Sequence, residues 1–194
     1  MKIYLGIIGK PFAGKETVYK IISKLAQSRK LKTSIHHFSD PLNEILNLLH
    51  LPLERANQQK LSTMLREGFS EEVLGNELIR RAEMDPSDIV CLDGVRRPKD
   101  VVKLRNLQNG FLVFVETPLE KRFEFGQKRA DRQVRTWEEF SAQQGAEAES
   151  KIDEIGWQAD IRLDNSGSKQ YLKKQIETKI IPLVLTSNSI VDMK

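Results

Sequence analysis

Apolar residues fall into two kinds of run along this chain. Some are short and nearly unbroken, as in Ile3-Tyr4-Leu5-Gly6-Ile7-Ile8, Ile89-Val90-Cys91-Leu92 and residues 111–115. Runs of this length, bounded by turn residues, predict strands buried on both faces. Others recur at helical spacing: Val18, Ile21, Ile22, Leu25 and Ala26 make one face, and Leu42, Ile45, Leu46 and Leu49 another. Read in order, the pattern predicts strands over 2–8, 33–38, 88–92, 111–115 and 161–163. It predicts helices over 16–28, from Leu42 onward, and over 58–67, 71–84, 99–107, 118–129, 136–152 and 168–180. This alternation predicts an α/β architecture of three layers, with a five-stranded parallel sheet covered by helices on both faces. No repeat, low-complexity tract or linker interrupts it, so residues 1–194 are expected to form one domain. In such sheets ligands bind beyond the carboxyl ends of the strands. The chemistry is therefore sought directly after each strand.

After the first strand comes Gly9-Lys10-Pro11-Phe12-Ala13-Gly14-Lys15-Glu16-Thr17. This is G-x-x-x-x-G-K between a strand and a helix, the arrangement of a phosphate-binding loop. Backbone N–H groups of a glycine-rich turn and the positive end of the following helix face anionic oxygens there, and the lysine reaches the outer phosphates. Gly9, Ala13, Gly14, Lys15, Glu16 and Thr17 are accordingly expected to line a nucleoside triphosphate. The usual hydroxyl directly after the lysine is replaced by Glu16 and follows one place later at Thr17. Thr17 is expected near phosphate or metal, and the Glu16 side chain is expected to point away, since phosphate would repel it.

The other strand ends add charge. Ser39-Asp40-Pro41 follows the second strand. Asp40 there is expected as an N-cap with Pro41 opening the helix, as a carboxylate facing an acceptor hydroxyl or metal, or as both. His36 and His37 read as ordinary strand residues. Asp93-Gly94-Val95-Arg96-Arg97 follows the third strand. An apolar run ending in Asp93 reads as a carboxylate that engages Mg²⁺. Arg96 or Arg97 is expected to meet a phosphate, with its neighbour turned to solvent or a carboxylate. Beyond the fourth strand, Arg122 and Arg129 lie on one helical face, which Arg132 would share. They read either as a solvated basic face or as arginines of a lid over the phosphates, over residues 122–150. Asp164-Asn165-Ser166-Gly167-Ser168 reads as a turn and helix cap, with backbone bordering an adenine ring.

These motifs, in this order, resemble the nucleotide-kinase group of phosphate-loop proteins. The resemblance covers roughly residues 2–180 and is nearest to dephospho-coenzyme A kinases and deoxynucleoside monophosphate kinases. It rests on the loop, on Phe38-Ser39-Asp40-Pro41-Leu42, Asp93-Gly94-Val95-Arg96, segment 122–135, and Ala159-Asp160-Ile161-Arg162-Leu163-Asp164-Asn165-Ser166-Gly167-Ser168. It implies a P-loop NTPase fold with a helical lid, and ATP and Mg²⁺ as donor and cofactor. It places Lys15 and Thr17 on phosphates and metal, Arg96 toward the acceptor, and Arg129 or Arg132 in the lid. The acceptor implied is a nucleoside monophosphate or a dephospho-coenzyme A-like molecule. Asn43 stands where the deoxynucleotide kinases tend to carry lysine, and dephospho-coenzyme A kinase loops usually end in Gly-Lys-Ser. The chain therefore matches neither subgroup fully.

Composition narrows the rest. A formal net charge of +4 is too small to imply a nucleic-acid partner, and no aromatic-rich basic face accompanies it. No segment has the length of a membrane span, and the first strand begins at once, so neither membrane nor secretion is expected. The lone Cys91 sits in an apolar run and predicts a buried thiol in a reducing cytoplasm. Three histidines and one cysteine make a zinc site improbable. An Asn-Lys-x-Asp guanine signature is absent, which ranks a GTPase low. The remaining rival is a nucleotide-binding regulator or slow ATPase on the same fold.

Overall fold

A computed structural model describes residues 2–129, 136–143 and 147–189. The elements run β1 (Ile3–Ile8), α1 (Lys15–Gln27), β2 (Thr33–His37), α2 (Asp40–Leu48), α3 (Arg55–Gly68), α4 (Val73–Met84), β3 (Ile89–Asp93), α5 (Pro98–Asn106), β4 (Gly110–Glu116), α6 (Leu119–Gln127), α7 (Trp137–Gln143), α8 (Glu147–Trp157), β5 (Ile161–Asp164), α9 (Lys169–Lys179) and α10 (Ile181–Ser189). Among the described residues, the strands form one five-stranded sheet in the order β2-β3-β1-β4-β5. Every pairing is parallel. The first strand is therefore central. The chain leaves it to β2 on one side and later to β4 on the other, so the loop after β1 opens at the place where the strand order reverses.

Two apolar layers hold the sheet. On one face Val18, Ile21, Ile22, Leu25 and Ala26 of α1 pack with Leu172 and Ile176 of α9, Ile181 and Val184 of α10, and Ile3, Leu5 and Ile7 of β1. On the other, Leu78 and Ala82 of α4, Val101 and Leu104 of α5, and Ile152 and Ile155 of α8 cover Tyr4, Ile8, Val90 and Leu92. Strands covered on both faces need unbroken apolar sequence, which is why β1 and β3 read so clearly. Cys91 lies at 0% exposure in this interior, and burial, helped by the Asp93 charge, pushes its thiol up to about 12. It is a packing residue, inert toward oxidation and metal.

Two expectations change. The helical pattern over 136–152 is two helices, α7 and α8, and the second continues to Trp157. Their apolar residues serve different surroundings. Phe140 of α7 packs against Phe12 and Phe123, whereas Ile152 and Ile155 of α8 enter the sheet's second apolar layer. The apolar stretch after residue 180 forms α10, which joins α9 and α1 in the first layer.

Helices α2 and α3, which flank the second strand end, are fixed by polar links. Arg81 of α4 donates to both Glu44 oxygens, at 2.5 and 2.6 Å, and so ties α2 to α4. Gln58 Nε2 donates to Asn43 Oδ1 at 2.6 Å and ties α2 to α3. Asn43, where the resemblance led one to look for lysine, thus joins two helices through an amide pair.

Candidate phosphate-binding and transfer site

The loop after β1 owes its shape to residues that tolerate unusual backbone. A Cβ on Gly9 would lie 2.9 Å from the Val115 carbonyl oxygen, so only glycine lets the loop leave the sheet against β4. Gly14 sits at φ 90°, in the left-handed region that side chains disfavour. Phe12, at φ 61°, shares that region without being glycine.

The loop is locked from beneath by two side chains. Thr117 Oγ1, just after β4, donates to the Ala13 carbonyl at 2.8 Å. Asn165 Nδ2, just after β5, donates to the same oxygen at 3.0 Å and lies where a Gly14 Cβ would go. Asn165 is buried, and its amide is spent on the loop. Its side chain supports the phosphate loop itself, a role that its reading as a turn residue near adenine did not contain. Thr117 stands at a strand end, the position that marks it in sequence, but nothing local points to its bond with Ala13. The rest of that turn is as expected: Ser166 N donates to Asp164 Oδ1 and Ser168 caps α9 through Tyr171 N.

Helix α1 opens on Gly14 with no side-chain cap, so its first amides face the loop mouth. Lys15 Nζ lies 3.2 Å from the Gly9 carbonyl, folded along the loop's rim. The Glu16 carboxylate turns outward, to Lys20 at 2.6 Å and to Arg129 at 3.4 Å. The Thr17 hydroxyl makes no hydrogen bond among the described residues.

Across the sheet edge, β2 and β3 pair with His37 opposite Asp93. Their side chains meet, His37 Nδ1 to Asp93 Oδ2 at 3.3 Å. The other oxygen, Asp93 Oδ1, is buried and has no hydrogen-bond partner among the described residues. Burial by itself raises the Asp93 pKa. The His37 hydrogen bond and the positive charges of Lys15, His37 and Arg96 outweigh burial, so its pKa is held below the ordinary value. The ring of His37 is moved the opposite way. Its hydrogen bond to Asp93 raises its pKa against the effect of burial, with help from the charges of Asp93, Asp40 and Glu16. His37 is thus no ordinary strand residue, whereas His36, paired with Asp85 at 2.8 Å, is one.

Asp40 is the first residue of α2, not its cap. Ser39 holds the cap position and makes no side-chain cap bond. The Asp40 carboxylate reaches backward and accepts from His37 N at 2.6 Å. That bond closes the turn between strand and helix, an alternative to capping open to a short acidic side chain at this place.

The basic residues divide. Arg97 pairs with Glu71, while Arg96 is exposed, lies close enough to lower the Asp93 pKa, and has no ion-pair partner among the described residues. Arg122 is buried, reaching the Pro11 carbonyl at 3.4 Å and standing 5.6 Å over the Phe140 ring. A solvated basic face therefore does not describe α6 at Arg122. Arg129 meets Glu16, and Arg132 lies outside the described residues. Two further contacts bind the covering helices to the loop: Phe12 to Phe140 of α7 at 6.2 Å between ring centroids, and Lys10 to Asp153 of α8 at 2.6 Å.

The donor set suits a divalent cation of the magnesium kind. Mg²⁺ takes one or two protein oxygens and completes its shell with phosphate and water. Thr17 and Asp93 carry oxygens of that kind, and the buried Asp93 Oδ1, without a hydrogen-bond partner among the described residues, is compatible with such use.

No protein-family model matches the chain. It is similar to a protein described as a UPF0200 protein from Thermococcus gammatolerans, 27% identical over 140 residues that span 69% of this chain and 74% of that protein. Among solved structures it is similar to shikimate kinase from Bacteroides thetaiotaomicron, with a TM-score of 0.57 and 17% identity over 91% of this chain and 95% of that one. It is also similar to shikimate kinase from Acinetobacter baumannii, solved in complex with shikimate, with a TM-score of 0.54 and 18% identity over 96% and 95%. Shikimate kinase from Aquifex aeolicus gives 0.53 and 15% over 97% and 99%. The chain has the fold of the P-loop kinases.

Proposed function

We propose that this protein transfers the γ-phosphoryl group of ATP to a small acceptor, a nucleoside monophosphate or a dephospho-coenzyme A-like molecule. The observation that carries the reading is one juxtaposition. A phosphate loop locked at Ala13 opens beside a carboxylate, Asp93, that keeps one oxygen buried and unpaired. A fold alone does not fix an activity, and this pairing is what phosphoryl transfer needs beyond the fold.

In this reading the amides of residues 9–17 cradle the phosphates and Lys15 swings from the Gly9 carbonyl to the outer ones. Thr17 and Asp93 would hold Mg²⁺, which when bound neutralises charge on the phosphate oxygens. Asp40 orients the attacking oxygen and Arg96 meets the acceptor's anionic part. The acceptor oxygen attacks phosphorus in line as the bond to the ADP oxygen breaks. Charge that develops on the transferring group is met by the loop amides, Lys15 and the lid arginines Arg129 and Arg132. The chain acts as one domain with residues 122–150 as lid, in the cytoplasm, where a single buried thiol is at home.

Asn165→Ala should remove one of the two bonds to the Ala13 carbonyl. Stability should fall by about 1–2 kcal/mol, and ATP affinity by roughly tenfold if the loop loses about 1.4 kcal/mol of preorganisation. Urea unfolding and calorimetric titration with ATP measure both. An unchanged affinity would remove Asn165 from the binding machinery.

A second reading, a nucleotide-binding regulator or slow ATPase, is favoured by one feature: Glu16 stands in place of the usual hydroxyl and is engaged with Arg129. A screen of nucleoside monophosphates, dephospho-coenzyme A and shikimate with Mg²⁺-ATP separates the two. The kinase reading expects one acceptor class to raise ADP formation at least about tenfold over the acceptor-free rate.

A further inference from the structure

We propose that His37 is a positioning residue of the transfer site, one that holds Asp40 with its backbone amide and Asp93 with its ring and so sets the spacing of the two carboxylates. The inference rests on the phosphoryl-transfer reading above. Three observations carry it. His37 and Asp93 are direct neighbours in the parallel register, at the carboxyl ends of β2 and β3. His37 N donates to Asp40 Oδ2 at 2.6 Å, and Nδ1 faces Asp93 Oδ2 at 3.3 Å. Each carboxylate thus commits one oxygen to the same residue. Asp93 Oδ1 is left buried without a partner among the described residues.

A carboxylate that turns freely presents its oxygens to a cation only part of the time. An ionised carboxylate accepts and cannot donate, so the Nδ1–H of His37 is the donor in this pair. With Oδ2 held by that donor, the Asp93 carboxylate is restrained from turning, and Oδ1 keeps its buried place without a partner among the described residues. Partners of this kind, one step removed from the metal, typically change metal affinity or activity by about 10–100-fold when lost. His37 touches neither phosphate nor acceptor in this account and acts through Asp93.

The test uses Mn²⁺ as the probe, titrated into the full chain with ADP and followed by electron paramagnetic resonance. His37→Leu keeps an apolar body of similar size and removes the donor. It should weaken Mn²⁺ binding roughly tenfold while leaving metal-free ADP affinity within about twofold. His37→Asn places an amide N–H near the lost Nδ1 and should stay within about threefold of the parent. A Leu variant that binds Mn²⁺ as well as the parent overturns the inference. So does a Leu variant that loses metal-free ADP affinity to the same degree, or an Asn variant as weak as Leu. If the parent itself binds no Mn²⁺ with ADP, the phosphoryl-transfer reading fails and takes this inference with it. Parent binding with an unaffected Leu variant sinks the inference alone.

Discussion

Lys15→Ala is expected to reduce the proposed phosphoryl transfer by roughly 10³-fold in kcat/KM and to leave the protein folded. The size follows from position. Lys15 begins α1 on the rim of a loop that presents backbone donors, and its ammonium supplies a mobile full positive charge there. Charge that grows on the phosphoryl oxygens in the transition state loses that partner in the variant. The fold is spared because the Nζ contact to the Gly9 carbonyl is long, at 3.2 Å, while the loop is held elsewhere, at Ala13. Steady-state kinetics with the best acceptor and thermal unfolding measure the two halves. An alanine variant with full turnover would mean that the loop has another purpose.

Asp93→Asn is the second large effect. Asparagine keeps the shape and an oxygen, but loses the negative charge that Lys15, His37 and Arg96 surround. Turnover should fall by about 10²–10³-fold, and the Mg²⁺ concentration for half-maximal rate should rise at least about tenfold. Metal-free ATP binding should hold or strengthen, because Lys15 and Arg96 would then face the phosphates without the Asp93 charge beside them. That split distinguishes a metal ligand from a structural residue, whose loss weakens binding with and without metal alike. A variant whose turnover falls with an unchanged Mg²⁺ requirement would contradict the assignment.

What could be read along the chain was whatever is written locally. The glycines of residues 9–14, the lysine after them and the flanking strand and helix are contiguous, and each has a physical reason visible in sequence. The strands β1, β3 and β4 were equally plain, because a strand covered on both faces needs an apolar run. What escaped depends on contacts between distant residues. His37 meets Asp93 across 56 positions, Thr117 meets Ala13 across 104 and Asn165 meets Ala13 across 152. Only the strand order β2-β3-β1-β4-β5 brings those residues to one edge. A histidine in an ordinary strand pattern carries no local mark of the aspartate beside it. The division of 136–152 into two helices escaped for a related reason: period reveals which positions are apolar, not which of two surfaces receives them. Arg122 reads in sequence as a solvated charge or a lid arginine, because charge is the only thing its sequence shows, whereas its aliphatic stem and planar head suit the buried place over Phe140.

Glu16 turns outward, the direction expected of a carboxylate beside a phosphate-binding loop. Its outward turn keeps a negative charge off the phosphates and places it on Lys20 and Arg129. The proposed anion-binding role of the loop does not then require the usual hydroxyl in that place, since Thr17 carries one at the next position.

The measurement that reaches the central claim most directly is the ratio of phosphorylated acceptor formed to ATP consumed, followed by mass spectrometry in one reaction with Mg²⁺ and the best acceptor of the screen. The account predicts a ratio near one, with both products lost together in Lys15→Ala. ATP consumed at the same slow rate with every acceptor or with none, and no phosphorylated acceptor formed, would contradict it.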